Sequence, residues 1–444
     1  MSQSFSRLRR LALFLALIVF SLALAACGDE TDDTDGDNGA ITRGPSIPIV
    51  IAAGEPIIVG ISTALTGGPV GVRGTEYRDA AITAIERWKA ANGEQIAGHE
   101  IQVRAEDDGC SSGSVTTVAA ERLLGIAGLV GVIGPQCSGG SAAVIPTYAE
   151  AGVVAISGSA TTTSLTEGQP EGRFFFRTAY RNDLEGTLIG LFAIAFGRAY
   201  LIDDGETYGQ DLANSAQQIA EDGGVSVTRE SIAVGTVDFS ELAETIAQAK
   251  PDLVGFMGFN PEAALLYRQL RDAGYEGLFG AGDGAASQTG FVEPVGAEEA
   301  EGVLFAGCTF PLSEEFLAEF VDLHGYEPTA AFPAQYADAA TILLDAVAAV
   351  AEEQADGSLV IDPVALRDAV RATVLEDGIS GSIAFNENGD RIPPGVNSLS
   401  QFMAEALASL DNSGYVDLGL IPCQVQDGVL VNLIGPGAGE IRLP

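Results

Sequence analysis

Short apolar runs alternate with segments of helical periodicity along most of the chain, and this alternation constrains the fold more than any other feature. The apolar runs are of the kind found in strands that are buried on both faces of a sheet. In the first series we predict strands at 57–61, 101–105, 129–133 and 153–156, and helices at 77–88, 114–124 and 141–150. Strands and helices alternating in this way predict a doubly wound α/β lobe with a largely parallel sheet.

A second series of the same kind begins after Arg177. Its predicted helices are 183–196, 210–221, 241–249 and 262–273, and its predicted strands are 199–202, 225–232 and 253–257. Two long helices are then predicted at 314–324 and 336–354. Two successive series predict an α/β protein built from two doubly wound, Rossmann-like lobes.

The first 27 residues have the pattern of an export signal. Three arginines precede an apolar run at 11–23, which is too short for a comfortable membrane span. Leu24, Ala25 and Ala26 lead directly into Cys27, and this pattern resembles the lipobox of bacterial lipoproteins. The alternative is an ordinary secretory signal that happens to contain a cysteine. We expect a signal peptide over 1–27, and an extracytoplasmic protein anchored to the cell membrane by lipidated Cys27.

Residues 28–56 are predicted to form a flexible acidic tether. Six acidic residues lie among threonines and glycines between Gly28 and Gly39, and such a run repels itself and stays extended. The folded part is predicted to begin near Ile57.

The charge and the cysteines limit the possible functions. A formal net charge of −39 excludes nucleic-acid binding, which needs a basic surface. Setting Cys27 aside leaves four cysteines, and an even number in an oxidising compartment predicts two disulfides, with three pairings open. Since there is no CxxC motif and only two isolated histidines, we expect no metal site and no cofactor.

Two segments rich in glycine and hydroxyl groups, 133–141 and 156–164, follow predicted strands. Ligands of open α/β sheets bind beyond the carboxyl ends of strands, where helix N-termini direct backbone N–H groups at anions. The alternative is that Ser138 and Thr161 merely cap helices. Spacing alone leaves both interpretations open.

A series of motifs in a fixed order carries a resemblance to a known family. The motifs lie at 107–110, 134–138, 159–161, 203–209, 258–262, 283–284 and 383–390. Their order and spacing, from Ile57 to about Arg391, resemble the branched-chain amino-acid (Leu/Ile/Val) binding proteins of ABC uptake systems. These are type I periplasmic solute-binding proteins.

The resemblance implies two lobes joined by a three-segment hinge, with crossings near 178–181, 306–309 and 418–423. Lobe 1 would comprise 57–179 plus 308–419, and lobe 2 would comprise 180–307 plus 420–444.

The resemblance also implies roles for individual residues. The implied disulfides are Cys110–Cys137 and Cys308–Cys423. Tyr208 matches an aromatic residue of lobe 2 that closes over the ligand. The segments that match those holding the ligand's α-carboxylate through hydroxyl and backbone groups contain Ser138, Ser159, Ala160 and Thr161.

Three positions depart from the family pattern. The family commonly pairs a tyrosine and a glutamate against the ligand ammonium, but this chain has Phe259 and Asp283 there. Asp283 still supplies an anion, so an amino acid remains the expected ligand.

Arg73 lies where an aromatic residue often contacts the ligand's side chain. It is either an exposed arginine on a loop or a group that favours a polar or acidic ligand through a charge-assisted bond. A stretch at 394–415 is longer than the family needs and has no assigned role.

The predicted function is therefore capture of a small amino acid, branched-chain or related, in the cleft between the lobes. The partners would be an ABC permease and its ATPase subunits. We predict no enzymatic activity: a G-x-S-x-G match at 109–113 is better explained by Cys110 as half a disulfide. The alternative is a sensor lipoprotein of the same fold, which would recognise an amide or a small carboxylate and signal rather than transport.

Overall fold

The computed structural model describes residues 41–110, 113–167, 173–308, 311–392, 420–433 and 442. Cys27 with the export signal, and the stretch at 394–415, lie outside these residues, so what was predicted for them remains a prediction. The strands are β1 Ile49–Ile51, β2 Ile57–Thr63, β3 Gln95–Ile96, β4 His99–Asp107, β5 Leu129–Ile133, β6 Val154–Ser157, β7 Phe175–Arg177, β8 Ala199–Asp203, β9 Val227–Ser231, β10 Leu253–Met257, β11 Leu278–Ala281, β12 Leu304–Phe305, β13 Glu352–Glu353, β14 Leu359–Ile361, β15 Val374–Leu375, β16 Ile383–Phe385, β17 Arg391–Ile392, β18 Cys423–Gln426 and β19 Val429–Asn432. The helices are α1 Pro69–Asn92, α2 Ser114–Leu124, α3 Ser138–Ala151, α4 Asn182–Phe196, α5 Thr207–Asp222, α6 Ser240–Ala249, α7 Glu262–Asp272, α8 Glu293–Val295, α9 Glu314–His324, α10 Pro333–Val350 and α11 Pro363–Arg371.

Two sheets organise these elements. We define lobe 1 as the six-stranded sheet β3-β4-β2-β5-β6-β7 with the helices α1–α3 and α9–α11 that accompany it. Lobe 2 is the seven-stranded sheet β19-β18-β12-β11-β10-β8-β9 with α4–α8. Strands β2, β5, β6, β8 and β10 are buried along their whole length, as expected for parallel strands covered by helices on both faces.

The chain passes between the lobes more than once. It crosses to lobe 2 between β7 and α4, returns to lobe 1 between β12 and α9, and enters lobe 2 again for β18 and β19. Arg177, at the first crossing, is fully buried and forms an ion pair with Asp390 at 2.8 Å. This arrangement confirms the predicted fold of two doubly wound α/β lobes joined by three chain segments.

The predicted tether is wrong for residues 41–56. Strand β1 pairs antiparallel with β14, and the Arg43 guanidinium donates to backbone carbonyls of Leu124 at 2.9 Å and Ile126 at 2.6 Å. The reason is that Ile49 and Ile51 bury apolar side chains against lobe 1, whereas the cluster of acidic residues ends at Asp37. The folded part therefore begins before Ile57.

The helix predicted at 336–354 ends too late. Helix α10 stops at Val350, because the next residues form β13 and pair antiparallel with β14. Glutamates at 352 and 353 favour a helix locally, but pairing between strands decides the conformation there.

Candidate functional site

A cavity of about 410 Å³ lies between the lobes, a size within the range of about 300–1,000 Å³ typical of small-molecule sites. It adjoins a narrow recess, which shares several of its lining residues. Six of the eight predicted ligand residues line the recess: Arg73, Ser138, Ser159, Tyr208, Phe259 and Asp283. These residues belong to both lobes. The recess itself measures only about 30 Å³, so a ligand would occupy it together with the adjoining cavity and would contact both lobes.

The other two predicted ligand residues, Ala160 and Thr161, do not line the recess. The amide of Ala160 donates to Ser157 Oγ at 3.0 Å, and its carbonyl accepts from Arg177 at 3.0 Å. The carbonyl of Thr161 accepts from the Asn182 amide at 2.8 Å, at the first crossing between the lobes. The Ala160 amide and both carbonyls are therefore engaged within the protein. Thr161 Oγ1, in contrast, is buried without a hydrogen-bond partner among the described residues, so the assignment of Thr161 to the ligand stays a prediction.

Lobe 1 supplies neutral hydrogen-bonding groups to the recess. Helix α3 begins at Ser138 without a side-chain cap, so its first backbone N–H groups have no intrahelical acceptor. Ser138 Oγ accepts from the Thr162 amide at 3.2 Å, and Ser159 Oγ donates to the Gln136 carbonyl at 2.7 Å. Because the positive end of the α3 dipole borders the cavity, this wall favours a carboxylate.

Arg73 is the charged residue of the lobe 1 wall. It is 7% exposed and lies in the first turns of α1, so the interpretation as an exposed loop residue is wrong. The next residue, Gly74, has no side chain, and this lets α1 approach the carbonyl of Ala64, which a Cβ at that position would clash with. Arg73 Nη1 donates to the Gly284 carbonyl at 2.7 Å, and its guanidinium lies 5.1 Å from the Phe259 ring centroid. Its Nε and Nη2 are buried, and no residue in the described ranges accepts a hydrogen bond from either.

Lobe 2 supplies two aromatic rings and a carboxyl group. Tyr208 lies in the first turn of α5, Phe259 follows β10 and Asp283 follows β11, so all three lie at the carboxyl ends of neighbouring strands. The Tyr208 hydroxyl donates to Asp283 Oδ1 and accepts from the Gly284 amide at 3.1 Å. The Tyr208 and Phe259 rings pack 5.2 Å apart. Asp283 is thus a buried carboxyl group held in a fixed orientation.

Sequence reasoning missed Glu185, which lies beside Asp283. Glu185 is fully buried, and its Oε1 accepts from the Asp283 amide at 2.6 Å. Burial, and then the charge of Asp283, raise the pKa of Glu185 well above its usual value. Burial also raises the pKa of Asp283, but its hydrogen bond from Tyr208 and the charge of Arg73 oppose this shift. Burial therefore favours the neutral form of Glu185, and it does so more strongly than for Asp283, whose carboxyl group also has Tyr208 and Arg73 to favour the charged form.

The two disulfides have the implied pairing. Cys110–Cys137 borders the cavity in lobe 1, and Cys308–Cys423 joins the segments at β12 and β18 in lobe 2. Both pairings are confirmed.

The residues that the structure describes contain no group of three or more His, Cys, Asp or Glu side chains arranged to hold a metal ion. Nor does any helix there combine the length and the apolar character needed to cross a bilayer.

Comparisons with known proteins agree with this geometry. A family model described as periplasmic binding protein matches residues 56–396. The Leu/Ile/Val-binding protein homolog 1 of Brucella suis biovar 1 is 30% identical over 368 residues, which cover 79% of this chain and 93% of that protein.

Two solved structures show the same fold. The branched-chain amino acid transporter substrate binding protein LivJ from Streptococcus pneumoniae, in complex with isoleucine, has a TM-score of 0.67 and 20% identity over 84% of this chain and 97% of that one. A solute binding protein from R. palustris, in complex with benzoate, has a TM-score of 0.67 and 18% identity over 87% of this chain and 98% of that one. The chain belongs to the periplasmic binding protein family, in the group of the branched-chain amino-acid binding proteins, and like these solute-binding proteins it is not an enzyme.

Proposed function

We propose that this chain is the solute-binding protein of an ABC uptake system, anchored outside the cytoplasm by lipidated Cys27, and that it captures a small amino acid. The observation that carries the proposal is the pairing of two unlike walls across one recess. The uncapped start of α3 favours a carboxylate, and Asp283 of lobe 2 offers an anion to an ammonium group. A zwitterion satisfies both walls at once.

Closure of the lobes links binding to transport. The lobes already contact one another: Arg73 reaches the Gly284 carbonyl, and Asp211 accepts from the Thr163 amide at 2.9 Å. A ligand that contacts both lobes shifts the equilibrium towards this closed form, because its contacts are lost when the cleft opens. The closed form would then dock on the permease.

The relatives support an amino acid but do not fix which one. The Brucella relative is named for leucine, isoleucine and valine, and the S. pneumoniae structure holds isoleucine. The R. palustris structure holds benzoate, a carboxylate without an ammonium group. In this chain Phe259 has no hydroxyl group for an ammonium, so that role rests on Asp283.

A ligand panel tests the proposal. We expect at least one amino acid to raise the melting temperature of the full chain in detergent. At 100 times its Kd, such a ligand adds about 2.7 kcal/mol to the free energy of unfolding. The proposal fails if every amino acid leaves the melting temperature unchanged while benzoate or an uncharged amide raises it. Loss of uptake of the bound amino acid in a strain without this protein would separate transport from the sensing alternative.

The anchor is tested separately with Cys27→Ser. We expect the unchanged chain to take up a labelled fatty acid and to sediment with membranes, and the variant to do neither. Cys110→Ser is not a suitable control because it breaks a disulfide, so Ser21→Ala, which alters the signal but not the lipidated thiol, serves instead. Unlabelled, freely soluble protein from the unchanged chain would contradict lipidation.

A further inference from the structure

Arg73 has hydrogen-bonding capacity that the protein itself does not use. Its guanidinium carries three nitrogens, and among the described residues only Nη1 has an acceptor, the Gly284 carbonyl. Nε and Nη2 are buried, and they have no hydrogen-bond partner in the part of the chain that the structure describes. A buried charged donor without an acceptor is costly, so such a group is expected to meet one in the functional state.

The unused edge has a definite chemistry. Nε and Nη2 form one side of the planar guanidinium fork, which matches the two oxygens of a carboxylate. The face of the same guanidinium packs on the Phe259 ring, which fixes the plane of the fork. Asp283, which also lines the recess, uses Oδ1 to accept from Tyr208 instead. The acceptor is therefore expected from a ligand in the recess.

The recess then contains two groups that bind anions and one carboxylate. The first anion-binding group is the start of α3 at Ser138, and the second is the free edge of Arg73. Asp283 supplies the carboxyl group, because it lines the recess and Glu185 beside it does not. An amino acid with an uncharged side chain occupies the first group and Asp283 but leaves Arg73 unpaired.

We propose that the captured amino acid carries a second carboxylate on its side chain, and that Arg73 binds it through Nε and Nη2. This inference rests on the proposed function, since it specifies the side chain of the amino acid held between the lobes. Arg73 is then the residue that determines specificity. A leucine side chain in the same place would leave Nε and Nη2 without an acceptor, whereas an acidic side chain would supply one.

The test is calorimetric titration of the full chain in detergent with glutamate, aspartate, glutamine and leucine. We expect glutamate or aspartate to bind at least about 10-fold more tightly than leucine and glutamine, because a charged hydrogen-bonded pair replaces an unpaired charge. Arg73→Met should lower the ratio of the acidic amino-acid affinity to the leucine affinity by about 100-fold. Arg73→Lys should recover part of this ratio, since it keeps the charge but not the fork.

The ratio of the acidic amino-acid affinity to the leucine affinity is the decisive quantity, because Arg73 also donates a hydrogen bond to the Gly284 carbonyl across the cleft. Weaker closure reduces the affinity for every amino acid alike, whereas loss of the ligand contact reduces it for acidic ones alone. The matched control is Arg104→Met, an exposed arginine of β4, which should leave the ratio unchanged.

Two results would overturn the inference in different ways. If the unchanged chain binds leucine as tightly as glutamate and aspartate, and Arg73→Met keeps that ratio, the inference falls while amino-acid binding stands. If no amino acid binds but benzoate does, the proposed function falls and the inference falls with it. Should Arg73→Met fail to fold, the comparison of glutamate with glutamine in the unchanged chain decides alone.

Discussion

The two walls of the cleft hold their polar groups in different ways. In lobe 1, the hydroxyl groups of Ser138 and Ser159 bond to neighbours of the same lobe, and neither group titrates. In lobe 2, Tyr208, Asp283 and Glu185 bond to one another, and two of them are carboxyl groups. Lobe 1 is therefore a prearranged surface whose charge is independent of pH. Lobe 2 is a titratable surface whose charge depends on how two carboxyl groups share a proton.

The largest expected effect comes from neutralising the lobe 2 wall with Asp283→Asn. This change keeps the shape and an acceptor for Tyr208 but removes the negative charge that faces the ligand ammonium. A charge-assisted hydrogen bond contributes about 1.5–3 kcal/mol, so we expect amino-acid affinity to fall about 100-fold in calorimetric titration.

Asp272→Asn is the matched control, because Asp272 lies exposed at the end of α7 in the same lobe. Its affinity should equal that of the unchanged chain. If Asp283→Asn bound amino acids with unchanged affinity, the charge on the lobe 2 wall would have no role in recognition.

Glu185→Gln tests whether the pH dependence comes from lobe 2. The raised pKa means that the folded chain binds more protons than the unfolded chain between the usual carboxyl pKa and the raised one. The free energy of unfolding therefore falls as pH rises through this window, by at most about 1.4 kcal/mol per pH unit for one group. Glutamine cannot titrate, so urea unfolding from pH 5 to 8 should show a shallower fall in the variant.

Glu298→Gln, an exposed glutamate of lobe 2, should leave the slope unchanged. Asp283, whose pKa burial also raises, acts in the same direction and keeps part of the fall in the Glu185 variant. An equally steep fall in both variants would show that the pH dependence arises elsewhere.

The sequence allowed the fold and most of the recess to be predicted, for identifiable reasons. Strands β2, β5 and β10 are buried apolar runs, and such runs are visible without any knowledge of their partners. Strands β7 and β12 have three and two residues, too few for any periodicity, and only pairing with neighbours defines them.

Two features of the site have no local signal in the sequence. Glu185 lies near the start of α4, where a glutamate normally stabilises the helix dipole in solvent. Its burial arises because the chain crosses between the lobes just before it. Arg73 could likewise be placed near the ligand, because its position in the sequence matches a ligand-contacting position of the family. Its exposure, however, depends on how α1 packs against the rest of lobe 1. Sequence patterns report the buried face of an element more readily than the burial of one polar group within it.

The smallest expected effect is that of Ser159→Ala, in the lobe 1 wall. The Ser159 hydroxyl donates to the Gln136 carbonyl at 2.7 Å and lies 3.0 Å from the Tyr336 hydroxyl, so its proton is already engaged within lobe 1. Removing it should lower the free energy of unfolding by about 1 kcal/mol and amino-acid affinity by less than about 10-fold, as measured by urea unfolding and calorimetric titration. Ser226→Ala, at an exposed serine, is the control for loss of a hydroxyl group and should change neither quantity. A loss of affinity near 100-fold for Ser159→Ala would mean that the hydroxyl bonds the ligand directly. The lobe 1 wall would then be completed by the ligand rather than prearranged, because its hydroxyl would have to leave Gln136 when the ligand binds.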